Sequence, residues 1–280
     1  GPAVTAPVPV PAATVATAAW VGVAKEDWVE VTSNAGKVLI HYPNPVTSKY
    51  DSVLANSVRT AWTTLVAPHY SAITHLEIKP IQSYNSITFA EADAVERGSN
   101  RTVHVVLFKL HDDQARNRYL EFVTDSKAAF ERSFGPYHQD EFHWEKLSQL
   151  GNYDSFNVTR EGLAGTWASS DFASVSYYYV NSGLAAGADA TSIAKQFTFD
   201  GKGGYASDES SASGPVGHAK FAREQYHGAY AIDGGIHLTL TDRFKGHPEA
   251  YTAYFQAVNG GNALVMVDAH NSVTYLVKRR

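Results

Sequence analysis

Cysteine is absent from the 280 residues. That excludes disulfides, thiol nucleophiles and any zinc or iron–sulfur site built on cysteine. Methionine occurs once, as Met266. Runs of one charge are also missing: 23 basic and 28 acidic residues leave a formal net charge of −5 with no basic block. Such a chain lacks the electrostatic footprint of a nucleic-acid or anionic-membrane binder. No segment approaches the roughly 20 apolar residues that a membrane-spanning helix needs. The local frames of common catalysis are missing too. There is no Gly-x-Ser-x-Gly elbow, Walker loop, dinucleotide fingerprint or zincin motif. Neither a cofactor nor a metal is expected.

What is present is core material. Hydrophobic residues make up 44% and charged residues 18%, enough for packed interiors. A chain of this length favours two domains. The 16 Tyr, 13 Phe and 5 Trp, with abundant Ser, Thr and Gly, suit a β-rich exported protein. Gly1-Pro2 reads as a tag remnant. Residues 3–19 hold only Ala, Val, Thr and Pro, the composition of an extended tether. Tethers of this kind follow signal peptides or lipid-anchor sites, so an extracytoplasmic location, periplasmic or secreted, is expected. A merely frayed terminus is the other reading.

Residues 20–150 mix helix and strand periods and are read as one domain. Trp28–Thr32 and Lys37–Tyr42 flank the turn cluster Ser33-Asn34-Ala35-Gly36 and form a hairpin. A helix follows, with Thr47 or Ser48 as its N-cap. Its apolar positions, from Tyr50 and Val53 through Val58, Ala61 and Trp62 to Leu65, recur every three or four residues. Pro68 ends it. Strands are expected at His75–Lys79, Ser86–Arg97, Thr102–Leu110 and Tyr119–Thr124. Short helices are expected at Lys127–Phe134 and Glu141–Leu150. The fold class for this half is an α+β layer sandwich of five or six mostly antiparallel strands.

Glu91 and Asp93 are the catalytic candidates of this half. Counting by two from Ile87 and Phe89 puts both carboxylates on a face that otherwise looks buried. His104 or Glu121 on neighbouring strands would approach them, and crowded carboxylates with a histidine suit acid/base chemistry. A structural network is the plainer reading. His138 and His143 lie five apart, on different faces of a helix, and are read as a polar turn rather than a metal site.

Near Gly151–Ser155 the pattern changes. Residues 157–280 are a succession of short strands separated by hairpin turns such as Asp200-Gly201, Asp233-Gly234-Gly235 and Asn259-Gly260-Gly261. Ten strands are expected: Gly165–Ser169, Val175–Val180, Ala194–Asp200, Gly204–Ser207, His218–Gln225, Gly228–Ile232, Ile236–Thr241, Tyr251–Val258, Ala263–Asp268 and Val273–Lys278. An up-and-down meander of that size avoids exposed edges by closing into an antiparallel barrel. A two-sheet sandwich is the alternative.

Three motifs then carry a resemblance. Leu163-Ala164-Gly165-Thr166-Trp167 matches the Gly-x-Trp signature on the first strand of lipocalin-type barrels. Phe197-Thr198-Phe199-Asp200-Gly201-Lys202-Gly203-Gly204-Tyr205 and the segment Tyr226–Leu240 resemble two hairpins of bacterial lipocalin-like domains. The resemblance covers most of the final 120 residues and none of the first domain. The Ser/Gly-rich stretch Asp208–Gly217 departs from it. It implies an all-β lipocalin-like barrel in which Lys278 or Arg279 packs on Trp167 by a cation–π contact.

A barrel of eight strands encloses a small ligand if its lining leaves space. Tyr178, Phe197, Phe199, Tyr205 and Phe221 are expected to line it. So are Tyr230, Tyr254 and Phe255, with His237 as a polar contact. The same aromatics filling the barrel as an ordinary core is the plain alternative. The leading expectation is an exported bacterial protein that binds a small apolar or aromatic molecule. Its rival is an envelope structural or interaction protein meeting a protein or glycan. An enzyme using Glu91, Asp93 and His104 is the third reading.

Overall fold

The computed structural model describes residues 21–47, 49, 51–80, 88–110, 118–136, 150–169, 192–213 and 220–279. The chain is mostly antiparallel β-structure with few helices, and forms two compact units that part between Asp154 and Ser155.

The first unit is a seven-stranded antiparallel sheet. Its strands are β1 (Val21–Ala24), β2 (Trp28–Ser33), β3 (Gly36–His41), β4 (Tyr70–Pro80), β5 (Thr88–Glu96), β6 (Thr102–Leu110) and β7 (Arg118–Thr124). They lie in the order β1-β2-β3-β7-β6-β5-β4. The expected count of five or six strands was short because β1, four small residues beside the Ala/Pro tract, shows no alternation. β6 is apolar on both faces, as an interior strand must be. Val103, Val105 and Leu107 share a core with Val58, Trp62 and Leu65. On the opposite face Phe89 and Phe122 meet Phe130 of the helix α2 (Lys127–Phe134).

The preceding helix starts later than Thr47 or Ser48. Asn44 Oδ1 accepts from Val46 N and Asp51 Oδ1 from Val53 N, both at 2.8 Å. These side-chain turns compete with helix formation. The helix α1 spans only Leu54–Ala61, with Val53 at its N-cap and no side-chain cap bond. It continues as a wider π turn over Trp62–Val66 and a 3₁₀ turn, Ala67–His69, that contains Pro68. Strand β4 slips register twice, with Ala72 and His75 at positive φ. Bulges on an edge strand discourage pairing with other chains. Most of the expected helix Glu141–Leu150, the pair His138/His143 and Ile87 lie outside the described residues.

The second unit contains a closed eight-stranded barrel. Its strands are β9 (Gly165–Ala168), β10 (Ser192–Phe199), β11 (Gly204–Ser213), β12 (Lys220–Asp233), β13 (His237–Leu240), β14 (Glu249–Val258), β15 (Gly261–Val267) and β16 (Val273–Lys278). Each pairs antiparallel with the next, and β16 returns to β9 through Val277–Ala168 and Lys278–Trp167. A short strand β8 (Ser155–Asn157) pairs antiparallel with the edge of β14 over Tyr254–Gln256. The two-sheet alternative is therefore set aside. The expected strands His218–Gln225 and Gly228–Ile232 are parts of one long β12. The Ser/Gly stretch that begins at Asp208 continues β11 as far as Ser213, beyond the expected end at Ser207. Lys220–Gln225 are all exposed, and the strand runs on through Tyr226 and His227 without a break. The expected strand Val175–Val180 lies outside the described residues.

At the seam, Lys278 rather than Arg279 covers Trp167, its ammonium 5.5 Å from the ring centroid. Gly165 makes room for it. Its φ is +120°, and a Cβ there would lie 2.8 Å from Lys278 Cε. Gly165→Ala combines backbone strain with displacement of that lysine, and such strain costs about 1–3 kcal/mol. Urea unfolding of the full chain should show a lower midpoint for this variant. An unchanged midpoint would mean that the seam tolerates a side chain at position 165.

Candidate functional site

Strand alternation places Trp167, Phe197, Phe199, Tyr205, Tyr230, Tyr251 and Phe255 in the barrel interior, all buried. One end is packed ring on ring. Trp167 stacks on Phe255 with centroids 5.6 Å apart, and Phe199 meets Tyr230 edge-on at 5.2 Å. The helical turn Arg160–Leu163 lies against this end. Leu163 O accepts from Trp167 Nε1 at 2.7 Å, and a Cβ at Gly162 would lie 2.7 Å from the Phe255 ring.

The other end is polar. The loop after β13 turns Arg243 inwards until it is only 6% exposed. Its Nε donates to Glu249 Oε2 at 2.8 Å, Nη1 to Ser207 Oγ at 2.7 Å, and Nη2 to Glu209 Oε1 at 2.5 Å. The guanidinium also lies over the rings of Tyr226, at 4.6 Å, and Phe197, at 5.5 Å. Burial alone would lower its pKa, but the Glu209 and Glu249 bonds outweigh burial and raise it. Lys195 sits alongside, its Nζ 3.8 Å from Glu209 Oε2 and 3.5 Å from Thr274 Oγ1. Burial, then Glu249, pushes the Tyr251 hydroxyl well above its ordinary range. Two cations and two carboxylates thus hold this end with aromatic faces between them. An uncompensated charge in such a place would be too costly to persist.

The expected lining divides. Phe197, Phe199, Tyr205, Tyr230 and Phe255 face inwards. Phe221 is 83% exposed on the protruding part of β12, on the face opposite Tyr226. His237 and Tyr254 alternate with the buried Leu238 and Phe255 and so face outwards. These three do not line the interior. Their facing could not be counted without the pairings of β12, β13 and β14. Tyr178 lies outside the described residues. Arg243 went unrecognised because a loop arginine carries no period, and only the turn geometry brings it inside.

In the first unit, Glu91 and His104 are buried on neighbouring strands, and Asp93 pairs directly with His104. His104 Nδ1 is 2.8 Å from Asp93 Oδ1 and Nε2 is 3.1 Å from Glu91 Oε2. Lys79 and Lys127 donate to Glu91 Oε1 at 2.9 and 2.6 Å. Burial would raise the Glu91 carboxyl, but bonds from His104, Lys127 and Lys79 hold it below the ordinary range. Burial likewise opposes a charged His104, and the two carboxylates overcome it and raise its pKa. With a carboxylate at each nitrogen, the protonated form of His104 is favoured and both nitrogens are engaged within the cluster. The cluster is a brace that ties β4, β5, β6 and α2 together.

Glu121 does not join it. It pairs with Leu107 and faces the other side of the sheet, where Tyr70 OH and His41 Nε2 each donate to it at 2.6 Å. Trp28 closes over His41 edge-on. A carboxylate inside the wholly buried strand Arg118–Thr124 is the signal that could have exposed this second network. Among the described residues, no three His, Asp or Glu side chains are grouped to hold a metal ion.

No protein-family model matches the chain, and no curated protein matches its sequence.

The brace has a pH signature. Glu91, with its lowered pKa, contributes stability above about pH 4.3 that is lost as pH falls through its folded value. His104, with its raised pKa, contributes stability below about pH 6.5 that is lost as pH rises through its folded value. His104→Asn removes the partner that Glu91 and Asp93 share, while Lys79 and Lys127 stay on Glu91, and should cost on the order of 2 kcal/mol. In a pH series of urea unfolding, the gap to wild type should be widest between those two values and narrow on either side. A gap that widens above pH 8 would contradict a charged His104.

Proposed function

We propose that this is a binding protein whose barrel receives a small apolar or aromatic molecule at the end where Arg243 lies. The observation carrying this reading is the contrast between the two ends of one interior. At the Trp167 end aromatic rings meet one another directly. At the Arg243 end Tyr226 and Phe197 meet a guanidinium, held in place by Glu209 and Glu249. A few fixed polar groups set among aromatic walls are the composition of a small-molecule site. Tyr226 is half-buried, and its hydroxyl donates to Glu224 at 2.6 Å, which holds the ring in orientation.

The finer identity is part of the same proposal. The Gly165-Thr166-Trp167 signature and the Lys278 contact support a lipocalin-like barrel, carried beside an α+β layered domain. The Ala/Pro-rich residues 3–19 support an exported bacterial protein. A second reading, in which the second unit meets an envelope protein or glycan, draws on Phe221 and Phe244, 83% and 61% exposed.

A neutral aromatic probe, N-phenyl-1-naphthylamine, tests the first reading by fluorescence titration of the full chain. Saturable binding is expected, weakened at least tenfold by Tyr226→Ala and unchanged by Phe221→Ser. Native mass spectrometry of freshly purified protein should then show an adduct that the probe displaces. Absence of saturable binding, or equal binding by Tyr226→Ala, would remove the barrel reading. Loss on Phe221→Ser alone would favour the surface reading.

A further inference from the structure

The first unit carries a cleft that the barrel reading does not use. It measures about 570 Å³ and lies between the turn joining β2 to β3 and the helix α2. One wall is polar backbone and side chain from Ser33, Asn34 and Lys37. The other is Asp125, Arg132 and Ser133, with Arg101 beside them. Lys37, Arg101 and Arg132 stand against one lining acid, Asp125, so the walls carry 3 − 1 = +2 in a chain whose net charge is −5. Its only other side chains are Thr32 and two alanines, with no aromatic ring.

These cations are held to different degrees. Lys37 is bonded to Glu96, which also accepts from Ser99 at 2.6 Å and so cannot swing away freely. Arg101 reaches Asp125 only at 3.6 Å, and both are exposed, a pairing worth little in water. Arg132 is exposed and has no ion pair among the described residues. The two arginines therefore have donors to spare, whereas Lys37 is a fixed charge at the wall.

The turn forming that wall is rigid. Gly36 has φ +132°, and a Cβ there would lie 2.6 Å from the carbonyl oxygen of Val123, so the backbone is pressed against β7. Ser33 Oγ accepts from Ala35 N at 3.0 Å and fixes the turn from inside. The facing helix is anchored where Ser126 Oγ accepts from Ala129 N at 3.2 Å. A cleft with built walls, spare guanidinium donors and hydroxyl groups suits a ligand with planar or tetrahedral oxyanion oxygens and hydroxyls of its own.

We infer that this cleft binds a small polyhydroxylated anion, a sugar-sized molecule bearing a carboxylate or phosphate. Arg101 and Arg132 grip the oxyanion, while Ser33, Asn34 and Ser133 meet the hydroxyls. The inference is independent of the barrel reading, because the residues and the ligand chemistry both differ.

Isothermal titration calorimetry of the full chain with glucuronate, glucose 6-phosphate, inorganic phosphate and glucose provides the test. One-to-one saturable binding is expected for at least one sugar anion. Inorganic phosphate should be weaker and glucose should give no saturation. The preference between the first two identifies carboxylate or phosphate as the group gripped. Arg101→Ser/Arg132→Ser should weaken binding at least tenfold with the melting temperature unchanged, since both arginines are exposed. Arg132→Ser alone repeats the test if the double variant folds poorly. Raising salt from 0.05 to 0.3 M should weaken binding severalfold. Tyr226→Ala should leave it intact. Failure of every anion to saturate, glucose binding as tightly as its phosphate, or retained affinity in the arginine variants would each overturn the inference.

Discussion

The second unit depends on closing a meander into a ring. Sequential hairpins form locally, but the bond between the last strand and the first must span the whole unit, and its cost in chain entropy is paid by one contact set. That set is compact. Lys278 and Trp167 are paired across the seam, the ammonium covers the indole face, and Leu163 O receives the indole N–H. Gly165 matters because it is empty: without a Cβ it lets the lysine stem lie down on the tryptophan. Ring stacking from Trp167 to Phe255 then transmits the closure from β9 to β14, across the barrel.

Burying charge imposes a second discipline, met in the same way in both units. Arg243 is surrounded by Glu209, Glu249, Ser207 and Tyr251, and Glu91 by His104, Lys79 and Lys127. Arg118, also buried, donates to Asp154 Oδ2 and Gly151 O, tying the turn at Gly151–Asp154 to β7. In each case the central group has more than one partner, so losing one leaves the charge partly met. Such networks add little net stability over an apolar core, but only one arrangement satisfies them. Their value is specificity of register, and slippage by one residue would put Glu91 or Glu121 on the wrong face of the sheet.

Much of this was legible in the chain where one face is buried. Lys127–Phe134 and Thr102–Leu110 match the expected spans, and counting by two correctly joined Glu91, Asp93 and His104. The barrel's turns were visible because Asp-Gly and Gly-Gly pairs demand backbone that other residues avoid. Legibility failed where burial does not alternate. The polar run beyond Ser207 in β11 offers no apolar alternation, and the exposed Lys220–Gln225 gave no sign that β12 continues unbroken to Asp233. It failed again where outward-facing positions are not solvated: on β14, Gln256 is buried and Tyr254 half-buried although both alternate with the inward Phe255. Arg243 and the cleft beside Lys37 were illegible for a different reason. Both are made by loops and turns, whose partners are chosen by geometry rather than by period.

That difference separates scaffold from chemistry in this protein. Residues legible from periodicity are those whose environment repeats along the strand, and a repeating environment is a packed one. The carboxylate–histidine cluster lies on such strands, and its members accordingly bond one another, a carboxylate at each nitrogen of His104. Groups with unspent bonding capacity lie instead where the pattern breaks: Arg132 near the end of α2 and Arg101 at the entry to β6. A rigid sheet fixes their roots while solvent leaves their tips free, which is the condition for meeting a ligand without first breaking an internal bond. Binding is therefore to be sought at these interruptions, and the buried polar networks are to be understood as what holds the interruptions in place.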